Sequence, residues 1–204
     1  MRKKNLYVVG SGGHCNACLD IINLQNLYNI VGIIEKNSTN LNNKFGNIAT
    51  YKDKEIKKIS TNCKNFLLAI GKIGNSKLRE NKYHELKKLD VKLMTLISPT
   101  AYVANNTEFK DSVNIMHHVL INSNVKICEN TIINSQSLIE HDSFIGPHCH
   151  ISTAVKINGG VTIGRNTFVG SGTIVHEGIR IGNNVTISAG SIINRDISDG
   201  TRYQ

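Results

Sequence analysis

Every sixth residue from Val103 to Ile193 is isoleucine, valine or, once, phenylalanine, and this spacing dominates the second half of the chain. The run passes through Val103, Phe109, Ile115, Ile121, Ile127, Ile133 and Ile139 without a gap and continues to Ile187 and Ile193. Two positions before many of these lies a small or β-branched residue, such as Val119, Thr131, Ser137, Val161 or Thr173. The residue just after is mostly small or polar, as at Asn122, Gly146, Ser152 and Gly164. A helix repeats near 3.6 residues and a lone strand repeats at 2. A period of six suits short strands joined by tight turns that stack coil upon coil, the hexapeptide parallel β-helix. No coil buries its apolar face alone, so the array is expected to be cooperative.

The first half has a different grammar. Asn5–Val9 predicts a strand that ends in Gly10-Ser11-Gly12-Gly13-His14, and an amphipathic stretch follows from Cys15 to about Leu27. Tyr28–Glu35 and Phe66–Ile70 predict further strands, Ser76–Leu89 a helix, and Val91–Ile97 a last strand. Alternating β and α units predict a small Rossmann-like parallel sheet with helices outside. The glycine turn can bring backbone N–H groups to a phosphate at a helix N-terminus. Glu35, closing the second strand, is placed to meet a ribose or base. Glycines also serve plain tight turns, so the turn carries the nucleotide reading only together with Glu35. Ser98-Pro99 interrupts the pattern. Residues 1–97 are therefore expected to form a Rossmann-like nucleotide-binding domain, and residues 98–204 the β-helix.

Composition narrows the class. The 204 residues fit one large or two modest domains. Met1-Arg2-Lys3-Lys4 leads straight into Leu6-Tyr7-Val8-Val9, so no signal peptide is expected, and no apolar run is long enough to cross a bilayer. A cytoplasmic protein without membrane insertion is expected. Five cysteines, an odd number, point to free thiols. Cys15-x-x-Cys18 is only half of a zinc site, so a structural or accidental origin is favoured. Residues 1–100 carry 17 Lys and Arg against 7 Asp and Glu, whereas residues 101–204 carry 7 against 8. The excess charge would attract an anionic ligand such as a nucleotide, or else forms a solvated lysine-rich surface. No nucleic-acid motif and no aromatic-interleaved basic run accompanies it.

The array holds most of the histidines: His117, His118, His141, His148, His150 and His176. A histidine at a β-helix corner faces solvent by default. His141 differs because the neighbouring carboxylate Asp142 can orient its ring and raise its basicity, which suits a general base. Cys149 falls two positions before Ile151 and is expected to pack inward.

Three segments carry a resemblance. Gly10-Ser11-Gly12-Gly13-His14, Ser137-Leu138-Ile139-Glu140-His141-Asp142, and His150-Ile151-Ser152 through Gly159-Gly160 resemble the bacterial sugar acetyltransferases of the NeuD/PglD family. That family includes sialic acid O-acetyltransferases and UDP-4-amino-sugar N-acetyltransferases. The resemblance implies acetyl-CoA as co-substrate, a nucleotide-sugar or sialic-acid-type acceptor, and a left-handed β-helix assembled as a homotrimer. It implies His141 as the general base, Asp142 as its adjacent acid, and His150 near the thioester. Gly159, followed by Gly160, matches the glycine whose N–H bonds the acetyl carbonyl. Gly10, Gly12, Gly13 and His14 match the nucleotide-sugar loop. No metal is implied.

Two features depart from the family. Its Asp-Asp pair after the second strand reads Glu35-Lys36 here, and its Gly-x-Pro-Ala-Lys type tail is replaced by Asp199-Gly200-Thr201-Arg202-Tyr203-Gln204. Two other readings remain open from the residues. One is a zinc enzyme like the γ-class carbonic anhydrases, using His117, His118, His141, His148 or His176. The other is an inactive scaffold for a sugar-synthesis enzyme.

Overall fold

The computed structural model describes residues 3–36, 45–74 and 77–204. The chain divides into two compact units, one made of Met1–Gly71 and Leu78–Met94, the other of Lys72–Lys77 and Thr95–Gln204.

The first unit is a parallel five-stranded sheet. Its strands are β1 (Lys4–Val9), β2 (Tyr28–Glu35), β3 (Thr50–Lys52), β4 (Asn65–Leu68) and β5 (Lys92–Leu93), in the order β3-β2-β1-β4-β5. The helices are α1 (Gly13–Gln25), α2 (Ile56–Asn62) and α3 (Leu78–Lys87). Leu6, Val8, Val9, Ile33, Ile34 and Phe66–Leu68 are buried, as are Cys15, Cys18, Ile21 and Ile22 on one side of α1. Gly10 has φ +113, and a β-carbon there would meet Ala69 and Ile70. Only glycine lets β1 turn this sharply into α1. The buried Arg79 of α3 donates to Leu68 O at 2.8 Å and Ile70 O at 2.7 Å, tying the helix to the end of β4.

The sequence pattern missed two elements, β3 and α2, because 50–62 is polar and lysine-rich and lacks a clear period. Ser76, the expected start of the third helix, lies outside the described residues. The stretch 91–97 reads as one strand but is two. Lys92–Leu93 pairs with β4, whereas Leu96–Ile97 pairs with Asn114–Ile115 in the other unit. An apolar run shows that both ends are buried, not that they share a sheet.

The second unit is a left-handed parallel β-helix. Two-residue strands alternate with turns, and strands pair 18 residues apart, as in Leu120↔Leu138↔Lys156↔Ile174, except at the end, where Thr186–Ile187 pairs with Arg202–Tyr203 after 16. Three sheets result. The first face holds seven strands from Leu96–Ile97 to Arg202–Tyr203, the second six from Tyr102–Val103 to Ile192–Ile193, and the third five from Glu108–Phe109 to Arg180–Ile181. The stacked residues Ile115, Ile121, Ile139, Ile157, Ile163 and Val175 are fully buried in one continuous core, joined by Val119, Val155, Val161 and Cys149.

The turns explain the remaining positions of the repeat. Left-handed φ recurs every six residues, at Ser112, His118, Asn124, Asn130, Gln136, Asp142, His148, Ala154, Gly160 and onward to Gly190. Each lies three residues after a stacked residue of the six-residue series. Glycine and asparagine or aspartate enter this conformation most cheaply, which accounts for much of their use here.

Candidate active site

His141 and Asp142 occupy the turn between Leu138–Ile139 of the second face and Phe144–Ile145 of the third. Asp142 takes the left-handed position, with φ 61. Its Oδ2 lies 2.7 Å from His141 Nδ1. The other carboxylate oxygen accepts from Asn124 Nδ2 at 3.1 Å, and Asn124 Oδ1 in turn accepts from Asn106 Nδ2 at 2.6 Å. This ladder follows from the 18-residue register, which stacks equivalent turn residues of successive coils. With the His141 Nδ1–H held by the carboxylate, Nε2 keeps its lone pair. The hydrogen bond to Asp142 raises the His141 pKa and outweighs the opposing effect of desolvation, and the charges of Asp142 and Glu140 add to the rise. The Asp142 carboxyl is held below its ordinary value by its bonds to His141 and Asn124. Both side chains are more than half exposed, at 59% and 56%, so the pair is open to a ligand.

One coil further on lies Gly159. A β-carbon added there would stand 2.8 Å from both Cε1 and Nε2 of His141. The ring therefore rests over a backbone without a side chain. Gly160 N–H donates to His141 O at 2.9 Å, and Gly159 O accepts from Gly178 N–H at 2.9 Å. At equivalent turn positions the N–H groups of Ser123, Ser135 and Arg165 meet asparagine side-chain oxygens. The Gly159 N–H has no such acceptor among the described residues.

His150 sits elsewhere. It belongs to the first face, in strand His150–Ile151, and is buried. Its Nδ1 bonds the carbonyl oxygen of Lys72, and its ring meets Phe168 edge-on at 5.4 Å. Lys72 Nζ donates to His148 O and Asn166 Oδ1, each at 2.7 Å. Within one chain, His150 and His141 thus lie on different sides of the prism. No pattern in the sequence marks Lys72, because its segment has no period of its own. The corner histidines are also dispersed: His117 follows the first face, His141 the second and His148 the third. A single chain does not gather these three on one ion. The Cys149 thiol points inward as expected, donates to Gly164 O at 3.0 Å, and is pushed up to about 12 by burial. Cys18 is likewise pushed up to about 12, by burial. Neither is a ready nucleophile.

The first unit has its own cleft, of about 480 Å³, at the C-terminal ends of its strands. Gly10, Gly12 and Glu35 line it; Gly13 and His14 begin α1 beside it and are not part of the lining. Ser11 Oγ donates to a Glu35 carboxylate oxygen, and the Lys36 N–H donates to the other at 2.8 Å. Gly12 caps α1 without a side chain. The far wall carries Asp53, Asn81, Lys82 and Glu85, none of which the sequence marked. Among the described residues, no helix is long and apolar enough to cross a membrane.

Comparison with known proteins agrees with both halves. Residues 5–86 match the PglD N-terminal domain, and residues 160–195 match the bacterial transferase hexapeptide (six repeats). Among solved structures, PerB from Caulobacter crescentus in complex with CoA and GDP-perosamine is 25% identical. The match covers 96% of this chain and 91% of that one, with a TM-score of 0.87. The acetyltransferase domain of PglB from Neisseria gonorrhoeae in complex with acetyl coenzyme A is 22% identical over 98% and 95%, TM-score 0.85. WeeI from Acinetobacter baumannii is 19% identical over 97% and 95%, TM-score 0.82. The chain thus joins a segment similar to the PglD N-terminal domain to a run of hexapeptide transferase repeats.

Proposed function

We propose that this chain, a hexapeptide-superfamily protein with a PglD-type N-terminal domain, transfers acetyl from acetyl-CoA to the amine of a nucleotide-linked amino sugar for bacterial surface glycan synthesis. The observation that carries the reading is the His141–Asp142 pair resting over Gly159, beside an N–H that no acceptor among the described residues meets. The complex of PerB with CoA and GDP-perosamine supports it as the solved neighbour of highest identity among those above.

The chemistry is direct acyl transfer. The sugar amine attacks the thioester carbonyl, and His141 Nε2 takes the proton that the nitrogen sheds. The carbonyl oxygen gains negative charge and accepts a hydrogen bond from the Gly159 N–H. The carbonyl re-forms, the C–S bond breaks, and the departing thiolate takes the proton from His141. Asp142 holds the ring with Nε2 outward and stabilises its charged form. Gly160 contributes shape and not a hydrogen bond, since its N–H is used by His141 O. His150 serves by packing. No covalent cysteine step is needed, in keeping with two buried thiols of high pKa.

The first unit binds the nucleotide, with the pyrophosphate at the N-terminal turn of α1 and Glu35 at the ribose. The working form is a homotrimer with acetyl-CoA between neighbouring β-helices. The outward row of the second face supports this: Tyr102, Leu120, Leu138, Ile174 and Ile192 form an apolar stripe broken only by Lys156. Tyr102 is 63% and Ile192 58% exposed in a single chain. Patches of this kind mark association surfaces.

Release of CoA from acetyl-CoA, followed with a panel of UDP-, GDP- and CMP-linked amino sugars, is the test. Turnover with at least one of them, lost on His141→Ala, is expected. No turnover with any amino sugar defeats the enzymatic reading and favours the scaffold.

A further inference from the structure

The far wall of the first unit's cleft holds an ion triad that the chemistry above does not use. Lys82 Nζ, on α3, lies 2.5 Å from Asp53 Oδ2 and 2.6 Å from Glu85 Oε2. The lysine side chain is nearly buried at 11% exposure, while Asp53 and Glu85 are 27% and 50% exposed. Burial alone would lower the lysine pKa, but hydrogen bonds to the two carboxylates and their charges hold it above its ordinary value. All three residues line the cleft, together with Glu35 and the glycine loop.

We propose that Asp53, Lys82 and Glu85 read the base of the bound nucleotide and that the base is guanine. The proposal rests on the reading of this cleft as the nucleotide site. An ammonium has three hydrogens and no acceptor, and a carboxylate has two accepting oxygens. Two of the lysine hydrogens go to the two carboxylates, so among the described residues the triad presents one spare donor and two spare acceptor oxygens, Asp53 Oδ1 and Glu85 Oε1. The complementary edge needs two donors and one acceptor. Guanine supplies them as N1–H, the 2-amino group and O6. Uracil offers one ring N–H between two carbonyls, and cytosine one amino group beside two acceptors. Adenine has an amino group and a single ring acceptor. Each of these leaves a charged acceptor of the triad unmet, which is costly in a half-enclosed cleft. The strand order places the triad suitably. Glu35 ends β2, and Asp53 directly follows β3, the next strand outward from the glycine loop. A nucleotide with its phosphates at Gly10–Gly12 and its ribose at Glu35 therefore carries its base towards this wall.

Calorimetry on the full chain with GDP, IDP, UDP, CDP and ADP is the test. GDP is expected to bind at least about tenfold tighter than the other four. IDP, which lacks only the 2-amino group, is expected to be weakened with them. In Asp53→Asn and Lys82→Met, whose thermal midpoints report whether each folds, the GDP-to-IDP preference should fall below about threefold while some diphosphate binding remains. If Lys82→Met does not fold, the half-exposed Glu85→Gln takes its place. UDP, CDP or ADP binding as tightly as GDP, or a preference for GDP unchanged in folded variants, overturns the guanine assignment and leaves the nucleotide cleft standing. Failure of all five to bind removes the cleft reading itself, and the guanine assignment with it.

Discussion

The imidazole of His141 rests on the backbone of Gly159, 18 residues later, so closely that a single added methyl group would lie 2.8 Å from two of its ring atoms. The β-helix register brings this about, since residues 18 apart stack in successive coils. Gly159 does not have a left-handed φ, so what it provides is space, not unusual backbone freedom.

That contact predicts an unusual phenotype. Gly159→Ala keeps the backbone N–H but pushes the exposed ring aside. Turnover should fall at least about tenfold through loss of the base's position, with a thermal midpoint close to the parent's. A fully active Gly159→Ala would show that the ring position seen here is not the working one.

His141→Ala should lower turnover by roughly 10²–10⁴-fold, the scale of general-base loss. The residue lies outside the stacked core, so circular dichroism and the unfolding midpoint should hardly change. Near-parental turnover would remove His141 from the mechanism.

The pH dependence follows from the pair. His141 must be neutral to accept a proton, so kcat/KM should rise with pH through its pKa. Asp142 raises that pKa, first through its hydrogen bond. In Asp142→Asn the pKa falls, and the acid limb of the profile should move to lower pH, with a lower plateau because the base is weaker. A profile that stays in place, or moves up, contradicts this role for Asp142.

The stacked core makes its own prediction. Ile157 is fully buried between Ile139 and Val175 of adjacent coils. Ile157→Ala should cost about 2–5 kcal/mol, the range for such truncations, read as a lower denaturant midpoint with an unchanged slope. A loss below about 1 kcal/mol would mean that the stack relaxes around the gap.

Light scattering should report three chains for the parent protein. Leu120→Glu, which puts a charge into the apolar stripe of the second face, should shift it towards monomers and lower turnover with assembly. A parent protein that stays monomeric at micromolar concentration defeats both the trimer and the shared acetyl-CoA site.

The sequence by itself determined the β-helix, because a six-residue aliphatic period has few physical solutions and every stacked residue from Ile115 to Ile193 is buried as that period requires. It also marked His141 and Asp142, since a histidine and the carboxylate that orients its ring can be adjacent in the chain. The strand, glycine turn and helix of residues 5–25 were legible for the same reason, being local. What only the tertiary structure decided depends on residues far apart in the chain. Gly159 under the His141 ring needs the 18-residue register. The bond of His150 to Lys72 spans 78 positions, and it holds His150 buried on another face from His141 within one chain. The Asp53–Lys82–Glu85 triad joins the end of β3 to α3. In the sequence these are three unremarkable charges in polar stretches, and only the folded sheet sets them around one cleft.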